Sequence, residues 1–399
     1  MIENNKNNLI MKLNVENDDY FIEKLKDLIN ESNFIASTIK VKNIKIVETE
    51  KEERSCWEWV CGFFTCCFKG DNSDDLENSH FVGIINIGNN CYLNAGLQIL
   101  SRCYPLLIEL LRSSYRDDPL LKLLVKSMKA LLFGKDKFYD PSKFIDIFCK
   151  RNKDFIFGQQ NCSQDFIRTI LRNINDKLEK NMEYKYYFPN QNELNSYKKF
   201  IMENSIFPES KAFSIFSGIL KTQIYGFCKN CETKINNFSF NSFVDQILYL
   251  DSFKTKCKFS DILRKNIGKQ NKASMKCPNC EEKIHLNSSS TFVKIPEIFI
   301  FTLERFLGKN SKKIPIEPDE FINIYDLIDE SYNINENKCN YELFAVNIRL
   351  GNDLSFGHEI CHIKEKNVWY TINDIQYYLK TEEYLENSYG LFYRRINDE

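Results

Sequence analysis

Cys91 lies in a sequence that is typical of a reactive thiol. Residues 83–98 read GIINIGNNCYLNAGLQ, so a turn rich in glycine and asparagine comes directly before the cysteine. Behind it, Leu93, Leu97 and Leu100 recur at helical spacing, which predicts that Cys91 occupies the first turn of a helix. Unpaired backbone N–H groups and the helix dipole favour the nucleophilic thiolate there. The alternative is an inert buried thiol, because the chain has fifteen cysteines and most cysteines do not react.

A thiol nucleophile needs a base, and two of the four histidines of the chain are candidates. His358 follows a glycine-containing loop and opens a predicted strand, which places its imidazole at an open edge. His362 would point to the same face of that strand and competes for the role, unless it merely packs in the core. Asn373 or Asp374, after the next predicted strand, is expected to accept a hydrogen bond from the imidazole and fix its tautomer. A solvated turn is the alternative for these two residues.

Two CxxC pairs predict a structural zinc site. They are Cys228 with Cys231 and Cys277 with Cys280. Each pair forms a tight turn that aims two thiolates at one point, so two turns complete a tetrahedral Zn–S4 site. The pairs are separated by 45 residues, which is more than an ordinary zinc ribbon has, so an inserted segment is expected between them. Accidental pairs and redox-active motifs are the alternatives, although no thioredoxin-like βαβ pattern is predicted. Cys257 and His285 lie nearby in the sequence and are predicted to be spectators.

The elements that must position these residues change in character along the chain. Residues 83–180 are predicted to be mainly helical, whereas short strand-like runs prevail after about residue 213. The predicted helices are Cys91–Cys103, Pro119–Leu132, Pro141–Cys149 and Ser163–Leu178. The predicted strands are Thr222–Phe227, Phe243–Leu250, Thr291–Val293, Ile298–Phe306, Glu342–Arg349, Glu359–Lys364 and Trp369–Ile372. Helices followed by strands indicate an α+β protein with a mostly antiparallel sheet.

Residues 1–80 are predicted to form a separate, partly structured leader of unknown role. Its pattern predicts a helix over Asp18–Ser32 and one or two short strands over Thr38–Thr49. The segment 56–68, rich in cysteine, tryptophan and phenylalanine, is interpreted as an aromatic plug on the main domain. Lipidation of the cysteines within 56–67 and metal binding are its alternatives.

Composition argues against several classes of function. The net charge of −1 and the lack of a basic aromatic stripe disfavour nucleic-acid binding, including a zinc-dependent nucleic-acid module. The chain has no run of about eighteen apolar residues, so no transmembrane helix is predicted. The N-terminus lacks the apolar region of a secretory signal. Reduced cysteines in a cytoplasmic or nuclear compartment are therefore expected.

Several motifs in the second half of the chain complete the pattern that begins at Cys91. They are PEIFIFTLERF at 296–306, YELFAV at 341–346, Gly357-His358, WYTIND at 369–374 and YGLFYR at 389–394. With the sequence around Cys91 and the CxxC pairs, they resemble the ubiquitin-specific proteases from about Phe81 to Arg395. The resemblance implies a papain-like right-hand fold over residues 81–399. Its thumb would cover about 83–180, its fingers with the zinc ribbon about 215–295, and its palm about 296–396.

The same resemblance implies a role for each residue of the site. Cys91 would be the nucleophile, His358 the general base and then the general acid, and Asn373 the orienter. Asn86 and the Cys91 backbone N–H would stabilise the oxyanion, and the neighbouring Asp374 would assist. The implied activity is hydrolysis of the bond after the C-terminal glycine of ubiquitin. The enzyme would need one structural zinc ion and no catalytic cofactor.

Three residues near the predicted substrate site depart from the family pattern. Asp165 and Gly357 match substrate-binding positions, and Asp165 would grip the basic tail of ubiquitin. Arg168 stands where the family usually has glutamate, so it would repel a basic tail. Glu359 replaces the usual tyrosine after the catalytic histidine, and Arg349 stands where histidine is frequent. A protease for another ubiquitin-like modifier is the alternative that Arg168 suggests, and a non-catalytic ubiquitin-binding module is a further one.

Overall fold

The computed structural model describes residues 18–49, 81–182, 191–204, 208–268, 271–307, 310–329, 334–351, 357–380 and 385–396. The segment 56–68, with its predicted plug and alternative lipidation, lies outside the described residues. The described part of the chain combines a helical region with a large sheet and a smaller sheet.

The helices fall mainly in the first half of the chain, as the sequence predicts. They are α1 (Asp18–Thr49), α2 (Cys91–Ser101), α3 (Tyr104–Arg112), α4 (Pro119–Phe133), α5 (Ser142–Arg151), α6 (Ser163–Lys177), α7 (Gln191–Glu203), α8 (Lys211–Ser214) and α9 (Phe259–Asn266). Short 3-10 helices are Tyr115–Asp117, Tyr325–Leu327 and Glu336–Cys339. The four predicted helices correspond to α2, α4, α5 and α6 and are confirmed to within two residues at each end.

The leader differs from its prediction in one respect. Residues Thr38–Thr49 are helical and continue α1, so the predicted strands are wrong. The apolar residues of this stretch, Ile39, Val41, Ile44 and Ile46, are β-branched and fit both periods in so short a window. Local composition therefore favoured a strand where the chain extends a helix that had already begun.

The first turns of α1 pack on α3 and α4. Phe21, Ile22 and Leu25 are buried in the same apolar cluster as these helices. Asp18 accepts a hydrogen bond of 2.8 Å from Lys129 on α4, and the same ammonium lies 4.0 Å from the ring centroid of Phe21. The start of α1 is thus joined to the main domain by apolar contacts and an ion pair.

The described strands form one large, mostly antiparallel sheet, a smaller four-stranded sheet and four two-stranded pairs. They are β1 (Gly83–Ile84), β2 (Phe138–Tyr139), β3 (Lys180–Met182), β4 (Glu209–Ser210), β5 (Gly218–Phe227), β6 (Lys234–Phe243), β7 (Gln246–Tyr249), β8 (Cys257–Lys258), β9 (Asn271–Lys276), β10 (Lys283–Lys294), β11 (Ile298–Glu304), β12 (Phe306–Leu307), β13 (Asn310–Ser311), β14 (Ile316–Glu317), β15 (Phe321–Asn323), β16 (Asn340–Leu350), β17 (His358–Glu365), β18 (Val368–Asn373), β19 (Gln376–Leu379) and β20 (Ser388–Arg395). The large sheet has the order β19-β18-β17-β16-β20-β11-β7, with β15 beside β16. Only the β11–β7 pair within it is parallel, so the α+β prediction is confirmed.

A smaller antiparallel sheet carries the CxxC pairs. Its order is β6-β5-β10-β9. One pair lies in the turn between β5 and β6, and the other in the turn between β9 and β10. Because β5 and β10 are antiparallel neighbours, both hairpin turns lie at the same end of the sheet. The inserted segment that the sequence required consists of β6 to β9 and α9.

Helix α2 lies in the interior, and every one of its residues is buried. A helix that is apolar around most of its circumference is expected in the core, and α2 contacts α4, α6 and β17. Gly96 allows a close approach to α6, since a Cβ there would lie 2.5 Å from Cδ1 of Phe166. Cys91 at the start of α2 is consequently attached to a densely packed element.

Candidate active site

Cys91 is the first residue of α2, as the sequence predicts. The turn before it is closed by Asn90, whose Oδ1 accepts hydrogen bonds from the backbone N–H groups of Ile87 at 2.7 Å and Gly88 at 3.1 Å. Asn89 has a φ of 52° and Gly88 a φ of 140°, which are conformations that asparagine and glycine tolerate. The Asn90 side chain makes no capping hydrogen bond to α2. Cys91 therefore lies at the positive end of the α2 dipole, where no Asn90 cap competes for the backbone N–H groups.

His358 lies between the thiol and a carboxamide. Its ring shares a hydrogen bond with Cys91, and its Nε2 donates to Asn373 Oδ1 at 2.8 Å. His358 begins β17 and Asn373 ends β18, so the antiparallel pairing of these strands brings the two side chains to one edge. The hydrogen bond to Cys91 is the main reason that the pKa of His358 is raised from 6.5 to about 9, against the effect of burial. This environment favours a protonated imidazole.

His362, the competing histidine, has a different environment. It is 2% exposed, and its Nδ1 lies 3.0 Å from the hydroxyl of Thr371 on β18. Burial lowers its pKa to about 4, so the ring is neutral at physiological pH. The geometry favours His358 as the base.

Asp374 joins the turn before Cys91 to the end of β18. Its Oδ2 accepts a hydrogen bond from Asn86 Nδ2 at 2.9 Å, and its Oδ1 accepts one from Asn94 Nδ2 at 2.7 Å. Its backbone carbonyl accepts from the N–H of Ile84 at 2.9 Å. The Asn86 amide is thereby oriented, with Oδ1 facing the N–H of Gly88 at 3.2 Å. An amide NH2 group has two hydrogens, so Asn86 keeps one donor beyond its bond to Asp374.

Arg168 is paired with two carboxylates. It donates to Asp245 at 2.7 Å through Nη1 and to Asp165 through Nη2. Asp245 is buried, and burial raises its pKa to about 6 even though Arg168 acts in the opposite direction. The sequence-based expectation treated Arg168 as an isolated positive charge. Once both carboxylates ionise, the three residues together carry a formal charge of −1.

Gly357, Arg349 and Glu359 make contacts that sequence reasoning missed. The N–H of Gly357 donates to Gln160 Oε1 at 2.9 Å. Glu359 and Arg349 lie opposite each other in the β16–β17 ladder and form a buried ion pair. Their opposite charges were a signal in the sequence, but the pairing of the two strands is needed to bring them together.

The four CxxC cysteines meet in one cluster. The Sγ atoms of Cys228 and Cys280 are 3.5 Å apart, those of Cys231 and Cys277 are 3.6 Å apart, and all four lie within 4.8 Å of one another. Tetrahedral bonds of about 2.3 Å place sulfur atoms about 3.8 Å apart, so the cluster has the size of a Zn–S4 site. Both turns have the same backbone form, since Glu232 and Glu281 have φ values of 57° and 60°. This group is suited to hold a metal ion, and Cys257 and His285 are not part of it.

Hydrogen-bonded thiol, imidazole and carboxamide groups between a helix N-terminus and an antiparallel sheet define a cysteine protease of the papain-like kind. The sequence model of the family described as ubiquitin carboxyl-terminal hydrolase matches residues 82–393. The chain therefore belongs to the ubiquitin carboxyl-terminal hydrolase family, and it is a thiol-dependent deubiquitinating protease.

Two relatives extend this comparison. The chain is 25% identical over 358 residues to ubiquitin carboxyl-terminal hydrolase 12 of Salmo salar, an alignment that covers 83% of this chain and 93% of the relative. It is 35% identical over 131 residues to ubiquitin carboxyl-terminal hydrolase 9 of Arabidopsis thaliana, over 31% of this chain and 14% of that relative. In the described residues, no helix combines the length and the apolar character needed to cross a bilayer.

Proposed function

We propose that Cys91, His358 and Asn373 hydrolyse the peptide or isopeptide bond after the C-terminal glycine of ubiquitin. The observation that carries this proposal is the hydrogen-bonded series from the Cys91 thiol through His358 to Asn373 Oδ1. The Cys91 thiolate attacks the carbonyl carbon, and the protonated His358 then donates its proton to the leaving amine. Water activated by His358 hydrolyses the thioester and releases the ubiquitin carboxylate.

Asn86 is proposed to stabilise the oxyanion together with the backbone N–H of Cys91. The donor hydrogen of Asn86 that Asp374 does not use is available for this bond. The role of Asp374 is to hold the amide in that orientation, so its effect on the reaction is indirect. A single donor of this kind contributes about 2.7–4 kcal/mol to the stability of the transition state.

The narrow access to Cys91 supports a glycine-ended substrate. Cys91 is only 4% exposed, so an acyl group that reaches it must be slender. A tail that ends in glycine has no side chain next to the reacting carbonyl. Asp165 and Gly357 are proposed to bind this tail. Arg168 is proposed to reduce the negative charge of Asp165 that faces the tail.

The pairing of Arg168 with two carboxylates weakens the argument for a second substrate class, namely other ubiquitin-like modifiers. The neighbouring carboxylates of Asp165 and Asp245 reduce the repulsion of a basic tail that Arg168 alone would cause. Ubiquitin and ubiquitin-like proteins that carry a C-terminal electrophile should be compared as labels for Cys91. Labelling by ubiquitin alone would remove the second class, and labelling by neither would favour a non-catalytic ubiquitin-binding module.

The remaining proposals concern architecture and cofactor. The helical region 83–180 is proposed as the thumb, residues 215–295 with the cysteine cluster as the fingers, and residues 296–396 with all strands of the large sheet except β7 as the palm of a domain over 81–399. Zn2+ is proposed as the structural ion, because four sulfur ligands form a closed site with no position for a substrate. Reduced thiols fit a cytoplasmic or nuclear location.

Cys91→Ala tests the proposed mechanism, with Cys149→Ala as the matched control. Cys149 is a half-buried thiol of the same helical region. Cleavage of a fluorogenic ubiquitin C-terminal substrate should be lost in the first variant and kept in the second. Unchanged turnover in Cys91→Ala would remove Cys91 as the nucleophile.

A further inference from the structure

The segment Gly158–Ser163, called the bridging segment, is bonded to both sides of the proposed catalytic pair. On the cysteine side is Asn89, two residues before Cys91. Its Nδ2 donates to the carbonyl of Gly158 at 2.8 Å. On the histidine side, Gln160 Oε1 accepts from the N–H of Gly357 at 2.9 Å. The segment therefore connects the residues that flank Cys91 and His358, which lie far apart in the sequence.

The far end of the bridging segment is held by Glu359, directly after His358. Its Oε2 accepts from the backbone N–H of Ser163 at 3.1 Å and from Asn347 Nδ2 at 3.2 Å. His358 is thus enclosed by two bonds to the segment, one through the preceding residue and one through the following residue. These bonds limit both the translation and the rotation of the backbone that carries the imidazole.

Arg349 completes the attachment from the neighbouring strand. It forms an ion pair with Glu359, and both side chains are 1% exposed. Its Nη1 also donates to the carbonyl of Asn161 at 3.2 Å, within the bridging segment. Burial raises the pKa of Glu359, and the Arg349 guanidinium acts against this rise, so Arg349 favours the ionised carboxylate that accepts these hydrogen bonds.

We propose that Gln160, Glu359 and Arg349 are positioning residues that keep His358 in hydrogen-bond distance of Cys91 through the bridging segment. This inference rests on the proposed roles of Cys91 and His358. It gives a function to the two departures from the family pattern at positions 349 and 359, since together they form one buried pair. A shift of about 1 Å in a reacting group costs about 100-fold in rate, which sets the scale of the effect.

The test compares Gln160→Ala and Glu359→Gln with matched controls. Gln159→Ala alters an exposed neighbour in the same segment. Glu342→Gln removes a carboxylate from another buried ion pair of the large sheet, which Glu342 forms with Lys364. The readouts are kcat and KM on a ubiquitin substrate, thermal stability, and the pH profile of Cys91 alkylation by iodoacetamide, which needs no ubiquitin.

Both test variants should lower kcat about 10- to 100-fold with little change in KM. They should also move the alkylation profile to higher pH, because a displaced imidazolium stabilises the thiolate less. The controls should keep the wild-type profile, even if Glu342→Gln lowers thermal stability. A wild-type profile in both test variants, or the same shift in Glu342→Gln, would overturn the inference. Failure of the proposed function would differ, because wild-type Cys91 itself would then be dispensable for cleavage.

Discussion

At the residue scale, the chemistry depends on groups that alter one another. His358 acquires its raised pKa from Cys91, and Asn373 supports the same protonation state. Asp374 acts on a different part of the site, since it bonds to the side-chain amides of Asn86 and Asn94. Each of these effects can be tested by a single substitution.

The pKa of His358 should depend on Cys91. In the wild type it is about 9, raised above 6.5, so the imidazolium stabilises the fold fully below pH 6.5. This contribution is lost as the pH rises through about 9. In Cys91→Ala the main cause is removed, and the midpoint should fall toward 6.5. An NMR titration of the histidine rings measures this, with His362 as an internal reference that stays neutral over the same range. An unchanged midpoint would contradict the assigned hydrogen bond.

Asp374→Asn should lower kcat by about 10-fold or more without a comparable change in KM. Asn86 and Asn94 donate to different carboxylate oxygens, so the NH2 group of the new amide would face one of these two donors and lose that hydrogen bond. Steady-state kinetics of Asp374→Asn, Asn86→Ala and the double variant check the mechanism. The double variant should be little worse than Asn86→Ala, because both changes act through one amide. Fully additive losses would show that Asp374 acts independently of Asn86.

At the scale of elements, antiparallel pairing places the functional groups. The β17–β18 pair brings His358 to Asn373, and the β5–β10 pair brings the two CxxC turns together. Helix α2 supplies the remaining part through its buried N-terminus. The cysteine cluster takes no part in the proposed chemistry, so its loss should affect folding of the small sheet first.

Cys277→Ser should abolish binding of the proposed zinc ion and loosen the small sheet. A Zn–S4 site has no spare ligand, and each CxxC pair of thiolates fixes one hairpin end. Metal analysis and limited proteolysis within residues 218–294 measure the two effects. Cys257→Ser, outside the cluster, is the matched control and should keep the metal. Retention of a full zinc equivalent by Cys277→Ser would argue against the site.

At the scale of the whole molecule, part of the leader is packed on the protease domain. Leu25 is fully buried, and Phe21 and Ile22 beside it are nearly so. The ion pair of Asp18 with Lys129 adds a charged contact at the helix start. The start of the leader therefore packs its apolar side chains on the helical region and does not behave as a free tail.

Leu25→Ala should weaken the attachment of α1 by about 2–5 kcal/mol, because it leaves a cavity in a buried contact. Native-state proteolysis should then cleave α1 faster than in the wild type. Asp27→Ala, on the exposed side of the same helix, is the control and should keep the wild-type rate. Equal cleavage rates in both variants would show that α1 is not held by its buried face.

The sequence by itself determined the local and motif-level features of this protein. The helices that begin at Cys91 and Ser163, the strand that begins near His358 and the two CxxC turns follow from spacing and residue type, which act over a few residues. The family could likewise be identified from ordered motifs. The secondary structure of a short β-branched stretch such as Thr38–Thr49 could not be predicted in this way, because it continues the helix that precedes it.

Only the tertiary structure decided which groups meet. It distinguished His358 from His362 through burial and the neighbouring Asn373. It also showed that Arg349 and Glu359 neutralise each other, and that Arg168 has two acidic partners. The physical reason is that electrostatic and hydrogen-bond energies depend on distance and burial, which strand register sets between residues that are remote in the sequence.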